Sequence, residues 1–203
     1  MTTTLAPPRT APPAVAMFGL FLVSLLIGLV FTGSMYSSPF IDDGEIARYY
    51  ADNAGALRWI ALTQFLSALA LLVFTAVISE RVPGARIAAA GGYLSAGLLA
   101  VNALTQWVLT YDGVIASPEA RRGFHLLFFG LGGFGHVAAG GVMVAGLCLT
   151  GVLPKVLRQI GWVLAALSVL SLFTFVTEAA TLLIPIGRFP TLLWLVAVGY
   201  ALR

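Results

Sequence analysis

The sequence predicts an all-α protein, a polytopic bundle of six transmembrane helices with a short sixth span. Three observations lead there. Of 203 residues, 60% are hydrophobic and only 9% charged, against roughly a quarter charged in a soluble domain. The apolar residues fall in long runs with almost no charge inside them. Short charged or Pro/Gly turns separate those runs, and no separate soluble module fits in the length. Nineteen charged side chains cannot cover a water-facing surface of this size, so a soluble enzyme, a disordered chain and a coiled coil are excluded.

Residues 1–13 (MTTTLAPPRTAPP) hold Thr, Pro and Ala with one Arg and read as a disordered tail. The apolar run Ala14–Met35 follows, 22 residues without charge. At 1.5 Å per residue it crosses a hydrocarbon slab of about 30 Å. Its length exceeds the apolar core of about 7–15 residues of a signal peptide, the rival reading. Further runs are Leu57–Ser79, Ile87–Thr110, Phe124–Thr150, Ile160–Ile184 and Pro190–Leu202. Each becomes a helix because lipid offers the backbone no hydrogen-bond partner. The last, with 13 residues, reaches only about 20 Å; it must thin the bilayer or borrow Ile184–Phe189 to span. Glu80–Arg86, Gly151–Lys155 and Pro185–Arg188 read as turns.

Two outer connections carry local signals. Asp42 and Glu45 form a capping box, with Ile41 and Ile46 as its hydrophobic staple. Ile46, Tyr49 and Tyr50 share one face, which predicts a short helix lying at headgroup level. Ser117-Pro118 reads as an N-cap followed by Pro at the first helical position. The fourth helix then starts near Pro118, with Arg121 and Arg122 on exposed turns as candidate contacts to lipid headgroups.

Ten Arg and one Lys against eight acids give a net charge of +3, spread without a cluster. No nucleic-acid face follows. Arg preferred over Lys, with abundant Ala, Gly and Leu, points to a high-GC bacterial genome and a bacterial plasma membrane. Lys and Arg divide six (Arg9, Arg81, Arg86, Lys155, Arg158, Arg203) against five (Arg48, Arg58, Arg121, Arg122, Arg188). The larger set marks the inner side, which puts the N-terminus in the cytoplasm.

Ionisable groups inside a membrane helix are costly and are candidate sites by default. Three qualify: His125, His136 and Glu178. Eleven steps of 100° return to within about 20°, so both histidines point the same way on one helix. They are about 16 Å apart, too far for one metal ion. No further histidine exists to make a bis-His haem site, and no cofactor or metal is predicted. Glu178 stands among Thr174, Thr177 and Thr181. Asn102 and Gln106 lie one turn apart, with Thr32, Ser34, Thr63, Gln64 and Thr105 at similar depth. Nearly all this polarity falls in the outer halves of the helices. It reads either as a water-accessible vestibule or as a hydrogen-bonded core that selects the packing. Cys148, the single cysteine, reads as a core residue, since no base lies near it in sequence.

Tyr49-Tyr50-Ala51-Asp52-Asn53-Ala54-Gly55, the stretch Leu183–Pro190 and the stretch Leu192–Gly199 resemble a group of bacterial, actinobacterial-type integral membrane proteins of unknown function. The resemblance implies six spans and the interfacial helix; it implies no ligand or catalytic residue. Two function classes stay open. The first is a non-catalytic membrane component, either a subunit beside a partner membrane protein or homo-oligomer, or a scaffold in contact with lipid. The second is a small-molecule or proton-linked binding or transport protein, in which His136, Glu178, Asn102 and Gln106 converge on one hydrated outer cavity. An intramembrane enzyme stands third, lacking a nucleophile or metal.

Overall fold

The structure, a computed structural model, describes residues 9–33 and 39–202. Its α-helices are α1 (Ala11–Ile27), α2 (Asp43–Arg81), α3 (Arg86–Val108), α4 (Asp112–Ala116), α5 (Pro118–Gly130), α6 (His136–Leu149), α7 (Lys155–Leu170) and α8 (Leu183–Ala201). Among the described residues there is no strand. Short π and 3-10 turns extend these helices into six spans: Ala11–Thr32, Asp43–Arg81, Arg86–Val108, Pro118–Leu149, Lys155–Phe175 and Glu178–Ala201. All six are long and apolar enough to cross a membrane, and the chain is a multi-pass integral membrane protein built as a helical bundle.

Short connections make consecutive spans antiparallel neighbours. The first packs on the second, the second on the third, and so on around a ring that closes where α8 meets α1. The closure is bonded as well as packed: buried Thr10 donates its hydroxyl to Gly199 O at 2.7 Å. Residues 1–8 of the predicted tail lie outside the described residues, and Thr10 onward belongs to the bundle. Ala11 already starts the helix, because Pro12 and Pro13 fall in its first turn, where a missing N–H costs nothing.

The third and fourth spans touch through their backbones. A Cβ on Gly91 would lie 2.4 Å from Met143 N, and one on Gly146 would lie 2.2 Å from Ala88 N. Only glycine allows this crossing, the usual means of close approach between membrane helices.

Three expectations are corrected. The N-cap of the predicted capping box forms, with Asp42 Oδ1 accepting from Glu45 N at 2.9 Å, but the helix it starts is not a separate interfacial one. It runs 39 residues into the second span, about 58 Å, so its outer turns stand beyond the bilayer. Nothing between Tyr50 and Leu57 stops propagation, and Ile46, Tyr50, Leu57 and Ile60 are buried together against Leu109 and Phe128. Tyr50 thus faces protein, not headgroups.

The sixth span is not short. The fifth ends at Phe175, Thr177 is extended (φ −145°, ψ 134°), and the sixth starts at Glu178 and runs 24 residues. Pro185 does not make a turn, because it occupies the first turn of α8 and needs no N–H partner there. The break comes instead at Val176-Thr177, which contains neither Gly nor Pro. Arg188 is therefore inside the membrane, not in a loop.

In the fourth span, a π turn at Leu131–Gly135 interrupts the helix, with Gly133 at φ −79°, ψ −110°. It resets the helical phase, so the two histidines no longer share a face.

Candidate functional site

Two apolar clusters fill the bundle. One, at the end where the first span connects to the second and the third to the fourth, contains Ile46, Tyr50, Leu57, Ile60, Leu109 and Phe128. The other, toward the opposite end, is built on Met17, Phe21, Phe74, Met143, Leu147, Trp194 and their neighbours. Polar residues lie between them on every span from the second to the sixth. Gln64 falls between Ile60 and Leu71, Asn102 and Gln106 between Ala96 and Leu109, and His136 between Phe128 and Met143. Ser168 and Ser171 follow Leu164, and Arg188 and Thr191 precede Leu192. All of these polar side chains are buried.

Most of them bond across a helix contact. Asn102 Nδ2 donates to Gln64 Oε1 at 2.9 Å, joining the third span to the second. His136 Nδ1 lies 2.8 Å from Ser95 Oγ and 3.0 Å from Ser95 O, while Ser95 Oγ donates to His136 O at 3.0 Å. Ser168 Oγ and Thr191 Oγ1 are 3.3 Å apart, joining fifth and sixth. Ser67 Oγ donates to Met17 O at 2.8 Å, joining second and first. His125, fully buried, meets Tyr50 instead: its Nδ1 is 2.9 Å from the phenol oxygen. The threonines Thr32, Thr63 and Thr105 bond back to their own helices; Ser34 lies outside the described residues.

Arg188 is the residue that reading by turn signals misses. It is 7% exposed, and its guanidinium carbon lies 5.2 Å from the centre of the Phe21 ring. It borders two small cavities. One, of about 20 Å³, is lined also by Ser95, His136, Ser168 and Thr191. The other, of about 40 Å³, is lined by Asn102, Gly132, Gly133, Phe128 and Phe129. The first has room for one or two waters and the second for about three, since one water needs roughly 10–15 Å³ on this measure. Gly132 makes the second possible: a Cβ there would meet the Asn102 amide at 2.3 Å.

The four residues expected around one outer cavity divide. His136 and Asn102 border different cavities that share Arg188. Gln106 is buried beside Asn102, and neither Gln106 Oε1 nor Asn102 Oδ1 has a hydrogen-bond partner among the described residues. Glu178 does not join them; it is exposed in the first turn of the sixth span. The signal that would have found Arg188 is the length of the last apolar run. Thirteen residues cannot span, so the preceding residues must, and Arg188 is among them.

Arg121 and Arg122 tie the connection before the second span to the one before the fourth. Buried Arg121 donates to Ile115 O and, at 3.2 Å, to Asp43 O. Arg122 donates to Ile41 O at 2.9 Å and lies 3.6 Å from the Asp43 carboxylate. Arg121 is thus turned into the protein and not displayed on an exposed turn. Cys148 is buried in the apolar cluster built on Met17, Phe21 and Phe74. Among the described residues, no group of three or more His, Cys, Asp or Glu side chains is placed to hold a metal ion.

No protein-family model, curated protein or solved structure matches the chain.

Proposed function

We propose that this chain is a non-catalytic membrane component, a partner subunit or lipid-contacting scaffold, whose buried polar residues hold a six-span ring in one arrangement. The observation that carries this reading is the pairing of polar side chains across helix contacts, with cavities of only about 20 and 40 Å³ between them. Sites for small organic molecules run to roughly 300–1,000 Å³. Membrane hydrogen bonds average only about 0.6 kcal/mol, so several are used together to select a packing.

Arg188 counts on neither side of the membrane once it belongs to a span, and the basic residues then divide six against four. That supports an N-terminus in the cytoplasm of a bacterial cell, by the excess of Lys and Arg on inner segments.

A second reading has one specific observation in its favour. A buried arginine between two water-sized cavities suits a proton- or small-ion-linked function, since charges at this depth are usually functional. Mass spectrometry of the protein released gently from its native membrane separates the two. A stoichiometric partner protein supports the first reading. A solute that co-purifies with the wild type and is lost in Arg188→Gln would overturn it in favour of the second.

A further inference from the structure

At the end of the bundle that carries the N-terminus, the first turns of α1 and the last turns of α2 and α8 enclose a cleft of about 830 Å³. Its walls are Arg9, Arg81 and Tyr200, and its floor is Ala11, Pro12, Val15 and Ala16. Three features give it a chemical character. Two arginines line one cleft, and the Arg81 Nε is buried with no hydrogen-bond partner among the described residues. The floor is apolar and runs along α1 toward the bilayer core. Seven of the eight acids lie toward the opposite end, leaving only Glu80 near this one.

The enclosing elements are also tied together. Thr10 bonds to Gly199 O at 2.7 Å, and Arg81 Nη1 donates to Leu202 O at 3.4 Å. The same bonds join α8 to the start of α1 and to the end of α2 beside the cleft.

We infer that this cleft binds one anionic phospholipid from the adjoining leaflet. Its phosphodiester sits between Arg9 and Arg81, its headgroup faces Tyr200, and the start of an acyl chain lies along Pro12, Val15 and Ala16. An anion at the bilayer surface meets a paired positive field there, and basic pockets between helix ends are the usual recognition of such headgroups. A zwitterionic lipid presents the same phosphate but brings its own cation into that field. The inference goes beyond the scaffold reading and does not rest on it: a transporter with the same inner mouth would hold the same lipid.

The test is native mass spectrometry of the full chain in detergent micelles doped with equal amounts of phosphatidylglycerol and phosphatidylcholine. The wild type retains phosphatidylglycerol preferentially. Arg9→Gln and Arg81→Gln each lower the ratio of the two adducts about fivefold, and the double variant about 30-fold, the worth of one surface charge each. Arg9→Lys and Arg86→Gln leave it within about twofold. Because the Arg9 side chain is exposed, Arg9→Gln keeps the test sound if Arg81→Gln loosens the ring. An unchanged ratio in Arg9→Gln overturns the inference, as does an equal drop in Arg86→Gln. A ratio that rises when residues 2–8 are deleted also overturns it, by making the chain's own segment the occupant.

Discussion

Ser95 and His136 bond to each other in both directions across the third and fourth spans. The serine hydroxyl donates to the His136 carbonyl at 3.0 Å, and the imidazole Nδ1 lies 3.0 Å from the Ser95 carbonyl. Each residue thereby engages a backbone carbonyl of the other's helix, just above the glycine crossing at Gly91 and Gly146. The imidazole works here as a clamp whose Nδ1 carries the proton, a tautomer assigned from the surrounding acceptors.

A double-mutant cycle of Ser95→Ala and His136→Ala measures the side-chain part of that clamp, the 2.8 Å contact between Ser95 Oγ and His136 Nδ1, while the bonds to the two carbonyls register in the single variants. The coupling energy, read from unfolding in mixed micelles, is expected near 0.6 kcal/mol and no more than about 1.7 kcal/mol. A coupling of zero, with both single variants costly, would show that the two side chains act separately.

The glycine crossing gives a larger effect. Gly91→Val drives its Cβ into the backbone at Met143 N, 2.4 Å away, and neither main chain can yield. The loss expected in the same unfolding assay is about 2 kcal/mol or more. Gly97, on the same helix with nothing within 4 Å of a built Cβ, accepts alanine without loss. Equal tolerance at both positions would contradict the crossing.

Arg121 and Arg122 are adjacent and differ in burial, which separates their contributions. Arg121→Met leaves the carbonyls of Ile115 and Asp43 without a charged donor and costs about 2–3 kcal/mol. Arg122→Met removes a half-exposed pair with Asp43, whose side chain is 58% exposed, and costs under about 1 kcal/mol. Hydrogen exchange at residues 112–117 rises in the first variant and stays unchanged in the second.

How far the sequence carried the reading depends on which signal was local. The apolar runs placed six spans because length and hydropathy alone decide that a segment must cross lipid. The capping box at Asp42 and the N-cap at Ser117 were legible because each involves residues three apart. Four features were not. The unbroken helix through Tyr50 follows from burial against Phe128, far away in sequence. The break at Thr177 has no Gly or Pro to announce it. The split of the histidines depends on one π turn among glycines, where a single change of phase turns His125 toward Tyr50 and His136 toward Ser95. Arg188 was hidden for the converse reason: Pro185 and Gly187 look like a turn until the remaining run is measured against the bilayer.

Thiol accessibility tests the central claim, that the polar layer is an interhelical clamp and not a water-filled vestibule. In a Cys148→Ala background, single cysteines replace Asn102, His136, Glu178 and Arg188, and intact membranes are treated with an impermeant maleimide from each side. Glu178→Cys alone is expected to label, with the three buried positions protected from both sides. Labelling of Asn102→Cys and Arg188→Cys from the same side as Glu178→Cys would contradict it, because that pattern requires an open aqueous path into the middle of the bundle.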